Sequence, residues 1–135
     1  MLVAYECVHA IRTRKRKKSL CAVKLDMTKA YDRVECNFLE QTMTQFGLAP
    51  TWVSMVMRCV TLAKFSVKLN GGCSRSFSPS RGLRQGDPLS PYLFLFCMEG
   101  FSVLLKEAHR EGNIKGVSFG GGGPTVTHLL FADDS

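Results

Sequence analysis

Apolar residues along this chain recur at two spacings, and the switches between them mark the elements. Val3, Cys7, Val8 and Ile11 return at roughly helical spacing, which predicts an amphipathic helix over Leu2 to Arg12. Leu20 to Leu25 is an apolar run broken only by Lys24, read as a buried strand that ends at Asp26. From Thr28, a helix cap, the positions Ala30, Tyr31, Val34, Phe38, Leu39, Met43 and Phe46 recur at three and four and stop at Gly47, predicting one helix. Pro50 suits a first helical turn and opens a second helix carrying Trp52, Val53, Val56, Met57 and Val60. The aromatic and Met residues of these two helices are expected in the core.

The spacing then changes to strict alternation. Phe65 to Leu69 alternates and meets Asn70-Gly71, the preferred pair for a tight hairpin turn, with a return strand near Cys73 to Phe77. A loop rich in Ser, Pro, Gly and Arg runs from Ser78 to Leu89 and ends at Ser90-Pro91, an N-cap followed by proline at the first helical position. The next helix runs to about Arg110 with Gly112 beyond it, and its first turns, Tyr92 to Met98, are apolar all round, which predicts burial on most sides. Ile114 to Phe119 reads as a strand, Gly120 to Pro124 as a connection, and His128 to Phe131 as a short buried strand entering Asp133 and Asp134. Strands that carry acids alternate with helices that cover one face. The expected class is therefore α+β, a small antiparallel sheet backed by helices.

The acids change what the pattern means. Asp133-Asp134 after an apolar strand reads by itself as a solvated turn. Asp26 ends a second apolar strand, and if the two strands are neighbours the three carboxylates converge. Their mutual repulsion then calls for a divalent cation, and oxygen ligands of this kind suit Mg2+ or Mn2+ in a two-metal phosphoryl-transfer centre.

Charge and cysteine content narrow the partners. At 135 residues the chain is one domain or part of one, and 18 Lys and Arg against 11 Asp and Glu give a formal charge of +7. Such an excess favours polyanions, nucleic acid or an anionic membrane surface, although a merely basic protein has the same balance. Arg12, Arg14, Lys15, Arg16, Lys17 and Lys18 form a dense positive loop, read as a solvated connector, a phosphate contact or a nuclear-localisation signal. The six cysteines make no C-x-x-C pair, so neither zinc nor a disulfide framework is indicated, and reduced intracellular thiols fit. The N-terminus is the reverse of a signal peptide, so secretion is not expected, and the longest apolar segment, Pro91 to Leu105, is too short to span a bilayer.

A third stretch, Arg81 to Pro91, adds a ligand-facing loop. Gly82 and Gly86 allow backbone to approach a ligand, Arg81 and Arg84 supply phosphate-seeking forks, Gln85 offers an amide, and a helix N-terminus follows. The plain alternative is an ordinary Gly/Pro turn.

Together, Ala22-Val23-Lys24-Leu25-Asp26-Met27-Thr28-Lys29-Ala30-Tyr31-Asp32-Arg33-Val34, then Gly82-Leu83-Arg84-Gln85-Gly86-Asp87-Pro88-Leu89-Ser90-Pro91, then Phe131-Ala132-Asp133-Asp134 resemble a reverse transcriptase of the non-LTR (LINE-type) retrotransposon class, in order and spacing. The resemblance implies a polymerase palm, a ferredoxin-like antiparallel sheet packed on helices, with some of the fingers. It implies RNA-directed DNA polymerase activity on an RNA template, a DNA primer and deoxynucleoside triphosphates, with two Mg2+ ions, or Mn2+ in their place. Asp26 and Asp133 match the principal metal ligands, Asp134 a supporting one, and the Met27 carbonyl joins them. Tyr31 matches the aromatic gate under the incoming sugar. Gly82, Gln85 and Gly86 match the loop against the incoming nucleotide and template, and Arg84 a phosphate contact.

Some features depart from that family. Cys36 stands where close relatives are expected to carry tryptophan, a matter of packing. The return strand after Asp134, the thumb, the upstream fingers and an endonuclease domain are expected to be missing, which gives a partial domain over residues 1–135 whose activity alone stays open. Rival readings are a group II intron maturase reverse transcriptase and a non-catalytic nucleic-acid-binding remnant of the same fold; an RNA-dependent RNA polymerase usually carries Gly-Asp-Asp, against Ala132 here. Neutralising Lys15, Arg16, Lys17 and Lys18 should flatten the dependence of log affinity for nucleic acid on log salt if they touch phosphate; an unchanged slope identifies a solvated connector.

Overall fold

Leu39, Thr42 and Met43 on one helix and Val53, Val56 and Met57 on the next repeat the same three-and-four spacing, and the two stripes pack on each other. The computed structural model describes residues 2–13, 20–119 and 123–130. In chain order its elements are α1 (Leu2–Thr13), one 3-10 turn (Tyr31–Arg33), α2 (Cys36–Gln45), α3 (Pro50–Thr61), β1 (Lys68–Leu69), β2 (Gly72–Cys73), α4 (Ser90–Arg110), β3 (Val117–Ser118) and β4 (Thr125–Val126). They form two packed units, Thr28–Gly100 and Met1–Met27 with Phe101–Ser135.

The first unit holds the main core. Val34, Leu39, Met43, Val53, Val56, Met57, Leu83, Leu93 and Cys97 are buried there, and Leu39 and Met43 are fully enclosed. Gly47 ends α2 as expected: at φ +78 it takes the left-handed conformation, its N–H donates to the Thr44 carbonyl (3.0 Å) and Leu48 N–H to the Met43 carbonyl (3.2 Å). Pro50 occupies the first turn of α3. Gly100 of α4 lies against α2 so closely that a Cβ there would sit 2.8 Å from Thr42 Oγ1 and 3.3 Å from Phe38 Cζ. Only a hydrogen side chain permits that approach.

The β1–β2 hairpin also follows the expected chemistry. Asn70 (φ 49) and Gly71 (φ 83) are both left-handed, the requirement of the tight turn, and Lys68 stands opposite Cys73. Further out Phe65 pairs with Phe77, so Ser66 and Val67 face Ser74, Arg75 and Ser76, and the return strand carries a one-residue bulge.

The second unit contains α1, the β3–β4 hairpin and the second half of α4. Val117 stands opposite Val126 and Ser118 opposite Thr125, with the two hydroxyls of the latter pair 2.9 Å apart. Gly112 (φ 81) closes α4 through the same two-bond motif that ends α2: Gly112 N–H donates to His109 and Asn113 N–H to Ala108.

Four expectations are corrected. Leu20 to Leu25 is not a strand among the described residues: it joins no ladder, and Val23 and Leu25 are 74% and 72% exposed. A strand is stabilised by its neighbours, and no described segment pairs with this one. The same holds for His128 to Leu130, where Thr125–Val126 is the strand instead; Phe131 lies outside the described residues. The single helix from Thr28 to Gly47 is a turn, a 3-10 turn and then α2, because Val34 (ψ 122) and Glu35 (ψ 124) are extended. The N-terminal half of α4 is buried on one side only, with Leu93 and Cys97 inside and Tyr92 and Leu95 outside; Trp52, Phe46 and Met55 are likewise exposed rather than core. Long apolar side chains outnumber the positions that two helical stripes can cover.

Burial raises the Cys97 thiol to about 11, with a smaller push from Cys36, and raises Cys36 as well, there with help from the Glu35 carboxylate. Cys97 should therefore resist alkylation near neutral pH while the exposed Cys59 and Cys73 react. The unfolded chain ionises this thiol first, so stability is fully present below the ordinary value of 9.0 and should fall as pH rises towards about 11. Chemical unfolding across that pH range, with Cys97→Ser as the comparison of smaller slope because Cys36 still contributes, measures the effect.

Candidate functional site

The backbone between Thr28 and Glu35 is organised around two carbonyls that leave the helical pattern. Lys29 adopts a left-handed conformation (φ 56), and Asp32 and Arg33 N–H close short turns onto Lys29 and Ala30. A continuous helix would direct the Tyr31 and Val34 carbonyls at the N–H groups four residues on. Instead, Leu83 N–H donates to Tyr31 and Gly82 N–H to Val34, both at 2.8 Å. Glu35 and Arg81 add an antiparallel bridge and an exposed ion pair at 3.9 Å, whose energetic contribution is small.

Those bonds dock the loop that follows. Leu83 is buried in the core beside them, while Arg84, Gln85 and Gly86 stand exposed. Arg84 to Asp87 is a hydrogen-bonded turn (Asp87 N–H to Arg84 carbonyl, 3.3 Å) with Gly86 at φ 83 in its third position, where a positive φ is required. The carboxylate of Asp87 accepts from Leu89 N–H at 2.9 Å, and Ser90 Oγ donates to the Arg84 carbonyl at 2.7 Å. Ser90 thus ties the loop to the start of α4 rather than capping α4 with its own hydroxyl. Asp87 shapes the loop through these bonds.

Tyr31 is half-buried and stacks on Phe94 of α4, with ring centroids 4.7 Å apart and planes inclined by 16°. One face of the Tyr31 ring is therefore fixed against the core unit. Tyr31, Gly82, Arg84, Gln85 and Gly86 are brought together in this way within the first unit. Asp26 and Met27 belong to the second unit and are exposed. Asp133, Asp134, Lys15, Arg16, Lys17 and Lys18 lie outside the described residues.

Among the described residues no group of three or more His, Cys, Asp or Glu side chains gathers as a metal site. Among the described residues Asp26 forms no ion pair. The donor set expected from the sequence, carboxylates at 26, 133 and 134 with the Met27 carbonyl, is all oxygen, a chemistry that suits a hard divalent cation.

Two contacts escaped sequence reading. Phe94 as the support of Tyr31 had no signal beyond an aromatic in an apolar run. Ser102, buried on α4, meets His128 across 26 positions, Oγ to Nε2 at 2.8 Å, and Thr127 Oγ1 lies 2.7 Å from His128 Nδ1. A buried serine in a helix and a histidine before an apolar run were the available hints.

The family model for reverse transcriptase (RNA-dependent DNA polymerase) matches residues 3–135. The chain belongs to this family. Relatives of this reverse transcriptase chain include the uncharacterized mitochondrial protein AtMg01250 of Arabidopsis thaliana, 49% identical over 67 residues, which are 50% of the chain and 55% of that protein. The transposon TX1 149 kDa protein of Xenopus laevis is 33% identical over 94 residues, 70% of the chain and 7% of that protein. A Pol polyprotein from the retrotransposable element R2 of Popillia japonica is 28% identical over 127 residues, 93% of the chain and 20% of that protein. The R2 relatives place the chain with the non-LTR retrotransposon class. No solved structure matches it. The chain spans about half of the plant relative and a fifth or less of the two retrotransposon proteins.

Gly82 is the tightest point of the docked loop: φ is +98, and a Cβ would lie 3.1 Å from the Asp32 carbonyl oxygen. Gly86 has a similar φ of +83 and open space. Gly82→Ala should therefore destabilise by about 1–3 kcal/mol and by more than Gly86→Ala, read from denaturant midpoints.

Proposed function

We propose that this chain is the palm, with part of the fingers, of an RNA-directed DNA polymerase that extends a DNA primer on an RNA template with deoxynucleoside triphosphates. The observation that carries the reading is the docking of Arg84-Gln85-Gly86 beside Tyr31 through two 2.8 Å backbone bonds, inside a chain that the family model matches from residue 3 to 135. On this reading the domain is of the palm type, a ferredoxin-like antiparallel sheet backed by helices.

Asp26, Asp133 and Asp134, with the Met27 carbonyl, would hold two Mg2+ ions. Bound there, such ions supply Lewis acidity that lowers the cost of ionising a primer 3'-hydroxyl and offsets charge building on the transferred phosphorus. The chain's own residues do the placing. Arg84 presents a guanidinium fork to a phosphate, and Gln85 and the open backbone at Gly86 lie against nucleotide and template. Tyr31, braced by Phe94, offers bulk below the sugar and so disfavours a 2'-hydroxyl.

With the chain completed by fingers and thumb, primer extension on an RNA template in Mg2+ should fall by at least about a hundredfold on Asp26→Ala or Asp133→Ala, the scale of losing a principal transition-state stabiliser. Tyr31→Ala should instead preserve extension and raise ribonucleotide incorporation. Extension that survives Asp133→Ala contradicts the assignment.

A further inference from the structure

From Gln41 to Gly86 the chain contains no Asp or Glu, yet it carries Arg58, Lys64, Lys68, Arg75, Arg81 and Arg84, all of them exposed. Arg81 faces Glu35; among the described residues no carboxylate pairs with Arg58, Lys64, Lys68 or Arg75. The β1–β2 hairpin stands within this stretch, and every residue from Lys64 to Ser78 is exposed. Its positive charge therefore faces solvent with no acid of the hairpin to offset it.

The apolar side chains of the hairpin have no core to enter. Val67, Leu69 and Phe77 are more than half exposed, and Phe65 lies across from Phe77 with ring centroids 6.3 Å apart and planes inclined by 32°. Backbone bonds hold the strands: Phe65 and Phe77 exchange two of 2.8 Å, and Ser74 N–H donates to the Val67 carbonyl at 2.8 Å. A two-stranded ladder exposed along its whole length is marginal in water by itself, and apolar side chains gathered at a surface mark a place of contact. The charge calls for a polyanion, and the rings call for one with flat apolar faces. Single-stranded nucleic acid has both, since its phosphates attract cations and its unpaired bases stack on aromatic rings. A duplex hides those base faces.

We propose that the β1–β2 hairpin is a docking surface for single-stranded RNA, with Lys64, Lys68 and Arg75 towards phosphates and Phe65 and Phe77 against bases. The choice of RNA rests on the polymerase reading of the chain. The loop that reading assigns to nucleotide and template follows in the same packed unit, and seven residues from Phe77 to Arg84 reach at most about 25 Å. One strand can therefore touch both surfaces.

Fluorescence anisotropy of a labelled oligo(U) of about 15 nucleotides on the 135-residue chain, without divalent metal or nucleotide, tests the surface by itself. Lys68→Gln with Arg75→Gln should reduce the slope of log affinity against log salt by about 1.4, at about 0.7 for each phosphate contact on a single strand. The same change at the exposed Lys106 and Lys115 alters net charge equally and should leave the slope as it is. Phe77→Leu, which keeps an apolar side chain, should weaken binding about fivefold or more, the scale of one base stacked on a ring, and Phe77→Tyr should retain it. Oligo(dT) and duplex RNA of the same length should bind more weakly than oligo(U). An unchanged slope in the Lys68 and Arg75 variant, or an equal loss in both double variants, overturns the hairpin surface. Unchanged affinity in Phe77→Leu, or duplex bound as tightly as oligo(U), overturns stacking on a single strand, and oligo(dT) bound as tightly overturns the assignment to RNA. Binding to vesicles of phosphatidylcholine and phosphatidylserine without binding to oligo(U) makes the occupant a membrane and overturns the proposal. Failed primer extension by the completed chain overturns the polymerase reading alone, because the anisotropy is measured without catalysis.

Discussion

Two backbone hydrogen bonds, from Gly82 and Leu83 to the carbonyls of Val34 and Tyr31, govern the arrangement of the first unit. They occupy carbonyls that would otherwise continue a helix from Thr28 into α2, and so divide that stretch into a 3-10 turn, an extended step and a new helix. The division turns Tyr31 towards Phe94 and lets Leu83 enter the core. Because Leu83 is anchored, the next three residues are held at the surface without being buried. A loop meant to meet a ligand needs this combination of fixed backbone and free side chains, since ordering it on binding would cost conformational entropy.

Glycines at close approaches make the packing possible. Gly82 meets the Asp32 backbone and Gly100 meets Thr42, and in both places a methyl group would intrude. Gly47 and Gly112 act differently, through left-handed conformations that end α2 and α4. The first kind is set by what lies across the gap, the second by the local chain.

In the second unit, polar contacts join separate parts of the chain. Ser118 meets Thr125 across the β3–β4 ladder, His109 Nδ1 donates to the Ile114 carbonyl at 3.0 Å, and Ser102 reaches His128. α1 has no buried residue, although its spacing is amphipathic. Val3 and Val8 there, like Val23 and Leu25, are apolar and exposed among the described residues.

Local chemistry was legible from residues alone: the Asn70-Gly71 turn, the helix stops at Gly47 and Gly112, Pro50 at the head of α3, and the span of α4 to Arg110. Each depends on dihedral preferences or on a periodic apolar stripe, which neighbouring residues determine. The motif residues Tyr31, Gly82, Arg84, Gln85 and Gly86 were likewise recognisable in order and spacing. Tertiary structure decided the rest. Whether Leu20–Leu25 pairs as a strand, where the Thr28–Gly47 stretch breaks, which side of α4 is covered, and that Ser102 meets His128 all depend on groups distant in the chain competing for the same hydrogen bonds and the same apolar surface.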